Sequence, residues 1–143
     1  LMGDPKWSLK IREVLFATDL TPCSEAALPY ATSLAQENRA RLIILNILAK
    51  SGDRAELERQ ASSTRQSLEG LVPPEARLWR EPYCIAEPGE PAEKILDVAG
   101  GYKADLIVLG VRPHAVGVAT HLSRPTAHRV IAGATCPVLT VRG

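Results

Sequence analysis

No run of apolar residues in this chain approaches the roughly 20 needed to cross a bilayer as a helix. The opening stretch LMGDPKWSLK also lacks the long apolar core of a secretion signal. A cytoplasmic location is the expectation, with no membrane partner. Cysteine is sparse: Cys23, Cys84 and Cys136 are an odd number, widely spaced, and form no C-x-x-C or zinc-ligand pair. That excludes a disulfide framework and suits a reducing compartment. Charge of one sign is missing too, since 17 basic residues face 16 acidic ones for a formal net charge of +1. Nothing in that balance would hold the chain on nucleic acid. Catalytic signatures are absent as well: there is no G-x-S-x-G elbow, no Walker A loop, and no general acid and base that spacing brings together. No catalytic residue is assigned.

What is present is enough for one core. At 143 residues, 45% apolar and 23% charged, the chain has the size and composition of a single soluble globular domain. Residues 1–10 read as a lead-in or linker and residues 11–143 as the domain. Because Leu1 precedes Met2 and the lead-in carries Trp7, a tandem arrangement with a sister domain is an expectation.

Apolar runs at Val14–Ala17, Leu42–Leu48, Leu106–Leu109 and Val138–Val141 read as buried strands. LIILNIL and DLIVLG are nearly continuous in apolar residues, as expected when helices cover both sheet faces, which indicates a parallel sheet. A further strand is expected between Arg77 and Ala86, and Pro82 inside it would put it at a sheet edge. Helices alternate with these strands. Pro22 opens one carrying Ala27, Tyr30, Ala31 and Leu34; the charged stretch Asp53–Gly70 makes a mostly exposed second. Ala92, Ile95, Leu96 and Ala99 form an apolar stripe that Gly100 and Gly101 end with positive φ. Ala127, Val130, Ile131 and Ala134 repeat that spacing between Pro125 and Pro137. With right-handed crossovers the expected fold is α/β, a doubly wound five-stranded parallel sheet of order 3-2-1-4-5 with helices on both faces. Ligands of such folds bind above the carboxyl ends where the winding reverses, between the first and fourth strands.

Four blocks then carry a resemblance: VLFATDLTPCSEAALPYA at 14–31, LIILNIL at 42–48, EPGEPAEKILDVAGGYKADLIVLG at 87–110, and HRVIAGATCPVLTVR at 128–142. In this order the chain resembles the universal stress protein family, with its adenine nucleotide alpha hydrolase-like fold. The resemblance implies that Ala17, Thr18 and Asp19 stand where base and ribose are held, that Asn46 and Ile47 meet the base edge, and that Leu109 and Gly110 begin a G-x-x-G-x9-G-[S/T] phosphate loop. The rest of that loop is rewritten. Its second glycine position is Pro113, and the expected glycine and hydroxyl pair falls at Leu122–Ser123–Arg124–Pro125. Proline has no N–H to give a phosphate, and side-chained residues resist the backbone conformations glycine allows. Arg112, Arg124 and Arg129 are candidate side-chain replacements, with Thr126 beside them; solvated arginines are the competing reading.

The remaining residues have bland readings to set against sharper ones. Asp19 is a ribose contact or a turn cap, and Cys23 and Cys136 are read as packed side chains rather than reactive thiols. His114, His121 and His128 recur every seven residues, yet Pro125 breaks the single helix that would align them, so no metal site is assigned. The expected function is a non-enzymatic stress-response or regulatory role through dimerisation, with a degenerate nucleotide crevice, no assured cofactor, and at most slow ATP hydrolysis. The alternative is a domain that still binds ATP, ADP or AMP, its arginines replacing the glycine loop. The expected dimer seam is the edge strand Val138–Val141, or a tandem sister domain covers that edge.

Overall fold

The computed structural model describes residues 10–49, 52–111 and 123–142. Five strands, β1 (Glu13–Ala17), β2 (Arg41–Leu48), β3 (Tyr83–Pro88), β4 (Leu106–Val111) and β5 (Val138–Arg142), form one parallel sheet in the order 3-2-1-4-5. Between them run α1 (Pro22–Glu25), α2 (Leu28–Glu37), α3 (Arg54–Leu71), α4 (Pro91–Gly101) and α5 (Arg124–Gly133), with a 3-10 turn at Pro74–Arg77.

The winding explains the two cores. Right-handed connections that step from β1 to β2 to β3 leave their helices on one face, and those that cross back to β4 and β5 leave theirs on the other. Val14 and Phe16 accordingly pack with Ala31 and Ala35 of α2 and Leu68 of α3. Leu15 and Ala17 pack with Ile95 and Ala99 of α4 and Ala127 and Val130 of α5. Successive residues of β1 thus point into opposite cores, and every residue of this central strand is buried.

Three local expectations are corrected. The helix opened by Pro22 is two helices, because Pro29 lacks an N–H and its ring clashes with the carbonyl four residues back. A new helix restarts at Leu28 with Pro29 in its first turn, where no donor is needed. Tyr30 then faces solvent, 54% exposed, while Ala31 and Ala35 are buried. Helix α4 runs through Gly100 and Gly101, and the positive φ (55°) falls on Lys103 after the Tyr102 cap. Neither glycine is in a tight space, so nothing forces the turn there; amides of Lys103 and Ala104 close the helix end on the carbonyls of Gly100 and Ala99. Pro82 lies one residue before β3 and not inside it. The strand is nonetheless at the edge expected for it, paired with β2 alone.

At the amino end of the sheet, buried Glu13 pairs with Arg41 at 2.7 Å and Arg80 at 3.1 Å. That contact raises the Arg41 pKa further above its usual value, and Arg41 also stacks over Tyr83. Among the described residues no helix is long and apolar enough to cross a membrane.

Candidate functional site

The switch point lies where β1 and β4 are neighbours, with Ala17 in register with Leu109. Ala17, Ile47 and Leu109 are at most 2% exposed and belong to the core on the α4–α5 face. Of these three, only backbone groups are available to a ligand. Thr18 and Asn46 are buried too, and they serve each other: the Asn46 side-chain amide donates to the Thr18 carbonyl at 2.8 Å, while the Thr18 amide donates to Leu45. A buried polar pair left unsatisfied would cost about 1–3 kcal/mol per group, so this tie holds β1 against β2 at its last residues.

Beyond Thr18 the chain folds back on itself. Leu20 sits at φ 65°, a left-handed conformation costly for a side-chained residue. Its amide donates to the Thr18 hydroxyl at 3.0 Å, the Thr18 hydroxyl meets the Ser24 hydroxyl at 2.7 Å, and the Ser24 hydroxyl donates to Asp19 Oδ1 at 2.6 Å. One proton per hydroxyl runs through the three bonds without conflict. Asp19 Oδ1 also accepts from the Thr21 amide at 3.0 Å and from the Thr21 hydroxyl. Thr21 in turn caps α1. Asp19 is therefore the anchor of its own turn, the capping alternative foreseen for it. Thr21, Leu20 and Ser24 went unassigned in the sequence, although D-x-T-P is a legible turn-and-cap signal.

Gly110 has a structural reason of its own. A Cβ there would stand 2.6 Å from the Ser24 Cα and 2.8 Å from the Cys23 carbonyl oxygen, and would also strike the Ser24 carbonyl oxygen. The backbone of α1 crosses directly over β4, and only glycine permits it.

The phosphate half of the crevice falls partly outside the described residues, which exclude Arg112, Pro113, His114, His121 and Leu122. What is described is the start of α5. Ser123 caps it, its hydroxyl accepting from the Thr126 amide and its carbonyl from the Ala127 amide. Pro125 has no N–H, so of the first turn's amides only that of Arg124 is left to meet an anion. Thr126 spends its hydroxyl beside Ser123 at 3.2 Å. Arg124 and His128 are exposed, whereas Arg129 pairs with Glu90 at 2.5 Å, tying α5 to the start of α4. Glu90 caps α4, and the Glu93 amide with Arg129 holds its carboxyl below the usual range. Among the described residues no group of three His, Cys, Asp or Glu side chains is placed to hold a metal. Burial raises the Cys136 thiol and pushes Cys84 up to about 12, with Glu69 adding to it. Both are protonated and inert at neutral pH.

These features define a class: a doubly wound α/β domain of the adenine nucleotide alpha hydrolase-like fold, with its crevice above β1 and β4. The chain belongs to the universal stress protein family, whose model matches residues 10–142. It is 30% identical over 144 residues to a Thermus aquaticus protein described as a universal stress protein in QAH/OAS sulfhydrylase 3'region, covering 92% of this chain and 98% of that one. Among solved structures it is similar to the universal stress protein UspA from Lactobacillus plantarum, with 19% identity, a TM-score of 0.69, and 94% and 100% of the two chains covered. A universal stress protein from Archaeoglobus fulgidus in complex with dAMP superposes with a TM-score of 0.64 at 19% identity, covering 94% and 100%.

Proposed function

We propose that this domain acts in the cytoplasm as a non-enzymatic regulatory element that pairs with a second copy along β5, its crevice no longer suited to a nucleoside triphosphate. The observation that carries the reading is the first turn of α5, where a capping serine and a proline leave one amide in place of a phosphate cradle. Each charge-assisted bond lost from such a cradle weakens binding by about 1.5–3 kcal/mol, tenfold or more in affinity.

Strand β5 supplies the other mode of action. It pairs with β4 alone, and Val138, Leu139 and Val141 are only partly covered. An edge with neither proline nor charge among residues 138–141 is a template for another strand, and antiparallel pairing about a two-fold axis closes both copies with one self-complementary interface. Light scattering at micromolar concentration is expected to give twice the mass of one chain, and Leu139→Lys to give a monomer. A monomeric wild type would sink the dimer and leave the edge to a sister domain.

A second reading is favoured by the relative solved with dAMP. A nucleoside monophosphate asks least of the missing loop, so AMP would rest on the backbone near Ala17–Asp19, Asn46–Ile47 and Leu109–Gly110, with Arg112 and Arg124 as counter-charges. Calorimetric titration of the nucleotide-free domain with ATP, ADP and AMP in magnesium separates the two. Submillimolar ATP binding rejects the first reading, and AMP bound as well as ATP supports the second. Steady phosphate release that Asp19→Ala abolishes would reinstate an enzyme.

A further inference from the structure

Helix α5 presents Arg124, His128 and Ile131 at i, i+4 and i+7, one continuous stripe, toward the outer end of β5. Thr140 and Arg142 face it from the strand, and Arg142 stands in register with Val111 of β4. Together they enclose a depression of about 310 Å³. Apart from Arg124 at the start of α5 it is separate from the switch point: β4 and β5 line it, on the far side of β4 from β1.

Its charge is one-sided. Among the described residues no Asp or Glu lines the depression. Several other arginines are matched, Arg41 with Glu13, Arg77 with Glu69, and Arg129, one residue beyond His128, with Glu90. Arg124 and Arg142 form no ion pair or hydrogen bond with any described residue. Two guanidinium groups beside one hollow favour an incoming anion. The floor between them is apolar, from Val111 and Ile131.

The donor set selects among anions. Of the first-turn amides of α5 only that of Arg124 is left, since Ser123 takes that of Thr126 and Pro125 has none, so a phosphate is offered one backbone donor and no nest. What remains is planar guanidinium forks, which match a carboxylate in two parallel bonds, and the Thr140 hydroxyl. The volume lies at the low end of the roughly 300–1,000 Å³ typical of small-molecule sites. We infer that the groove between α5 and β5 binds a small carboxylate carrying a ring-sized or branched apolar body, the carboxylate held by Arg124 and Arg142 and the body lying on Val111 and Ile131. The groove lies beside the β5 edge proposed as a seam and shares Arg124 with the start of the crevice.

Benzoate is the probe, followed by amide chemical shifts of the labelled chain at low salt. Saturable shifts are expected at Ala127–Ile131 and Thr140–Val141 with a dissociation constant below about 1 mM. Acetate, which has the charge without the ring, and benzyl alcohol, which has the ring without the charge, should each bind at least about tenfold more weakly. The double variant Arg124→Ala, Arg142→Ala should also lose about tenfold or more, its remaining amide spectrum unchanged because neither side chain has a partner among the described residues. No saturation by about 20 mM benzoate, equal affinity in the double variant, or shifts centred on Ala17–Asp19 instead would each overturn the assignment.

Discussion

The β1–α1 junction and the α5–β5 edge lie on opposite sides of β4 and are built by opposite rules. At the junction the polar side chains that the resemblance assigns to a nucleotide are engaged within the fold: Asn46 with Thr18, Thr18 with Ser24, and Asp19 with Thr21 and Ser24. At the edge, cationic groups stand without carboxylates beside partly covered valines and a leucine. Satisfied polar groups hold a fold, and unsatisfied ones on a surface are where binding gains most. The comparison teaches that the side chains of Thr18, Asp19 and Asn46 are tied into the fold, whereas the edge carries cationic side chains that no described residue engages.

The sharpest way to break that contrast is Gly110→Ala. If the glycine serves the crossing of α1 over β4, the added methyl meets backbone that cannot step aside, and urea denaturation should show a loss of about 3 kcal/mol. A change within about 0.5 kcal/mol would return this glycine to a ligand role. Next, Ser24→Ala removes the hydroxyl that links Thr18 to Asp19, and should cost about 1–2 kcal/mol by the same measurement. Stability unmoved by it would mean that the turn network is dispensable.

The remaining two tests sit near the edge, where effects should be small. Glu90 has its carboxyl lowered by the Glu93 amide and by Arg129. Its contribution is present above the unfolded value, near 4.5, and is lost as pH falls through the lower folded value. Against a Glu90→Gln control, the stability difference at pH 7 should be about 0.5 kcal/mol and vanish in acid. A difference that grows on acidification contradicts the assignment. Smallest of all, Arg124→Ala and Arg142→Ala should each shift the unfolding midpoint by less than the equivalent of about 0.5 kcal/mol. A larger loss would reveal partners that the comparison denies them.

The sheet was legible because strand residues buried on both faces must be apolar nearly without break, as in LIILNIL and DLIVLG, and because chirality leaves few ways to connect five such strands. Helix existence was legible for the same kind of reason, from the stripe Ala92, Ile95, Leu96, Ala99. Where helices break was not. Pro22 and Pro29 are both good first-turn residues, and the continuous apolar spacing from Ala27 to Leu34 hid that the second, having no N–H, starts a new helix. The glycines after α4 misled because a glycine permits positive φ without requiring it, and Lys103 took that conformation.

At the site, pattern alone could name Ala17, Thr18, Asp19 and Gly110 as neighbours of the crevice, since strand order and the ends of strands follow from it, while Asn46 and Leu109 came with the family resemblance. What each does there was a matter for the tertiary structure. Asp19 is a turn anchor because Ser24 returns to it, and Gly110 is a packing glycine because α1 passes over it. The α5–β5 groove was invisible beforehand, because Arg124 and His128 belong to one element and Thr140 and Arg142 to another, and the two pairs meet only where the helix lies against the strand. Periodicity encodes which side of an element is buried, a local property that a sequence carries by itself. Convergence of side chains from separate elements depends on how those elements pack, which no local pattern records.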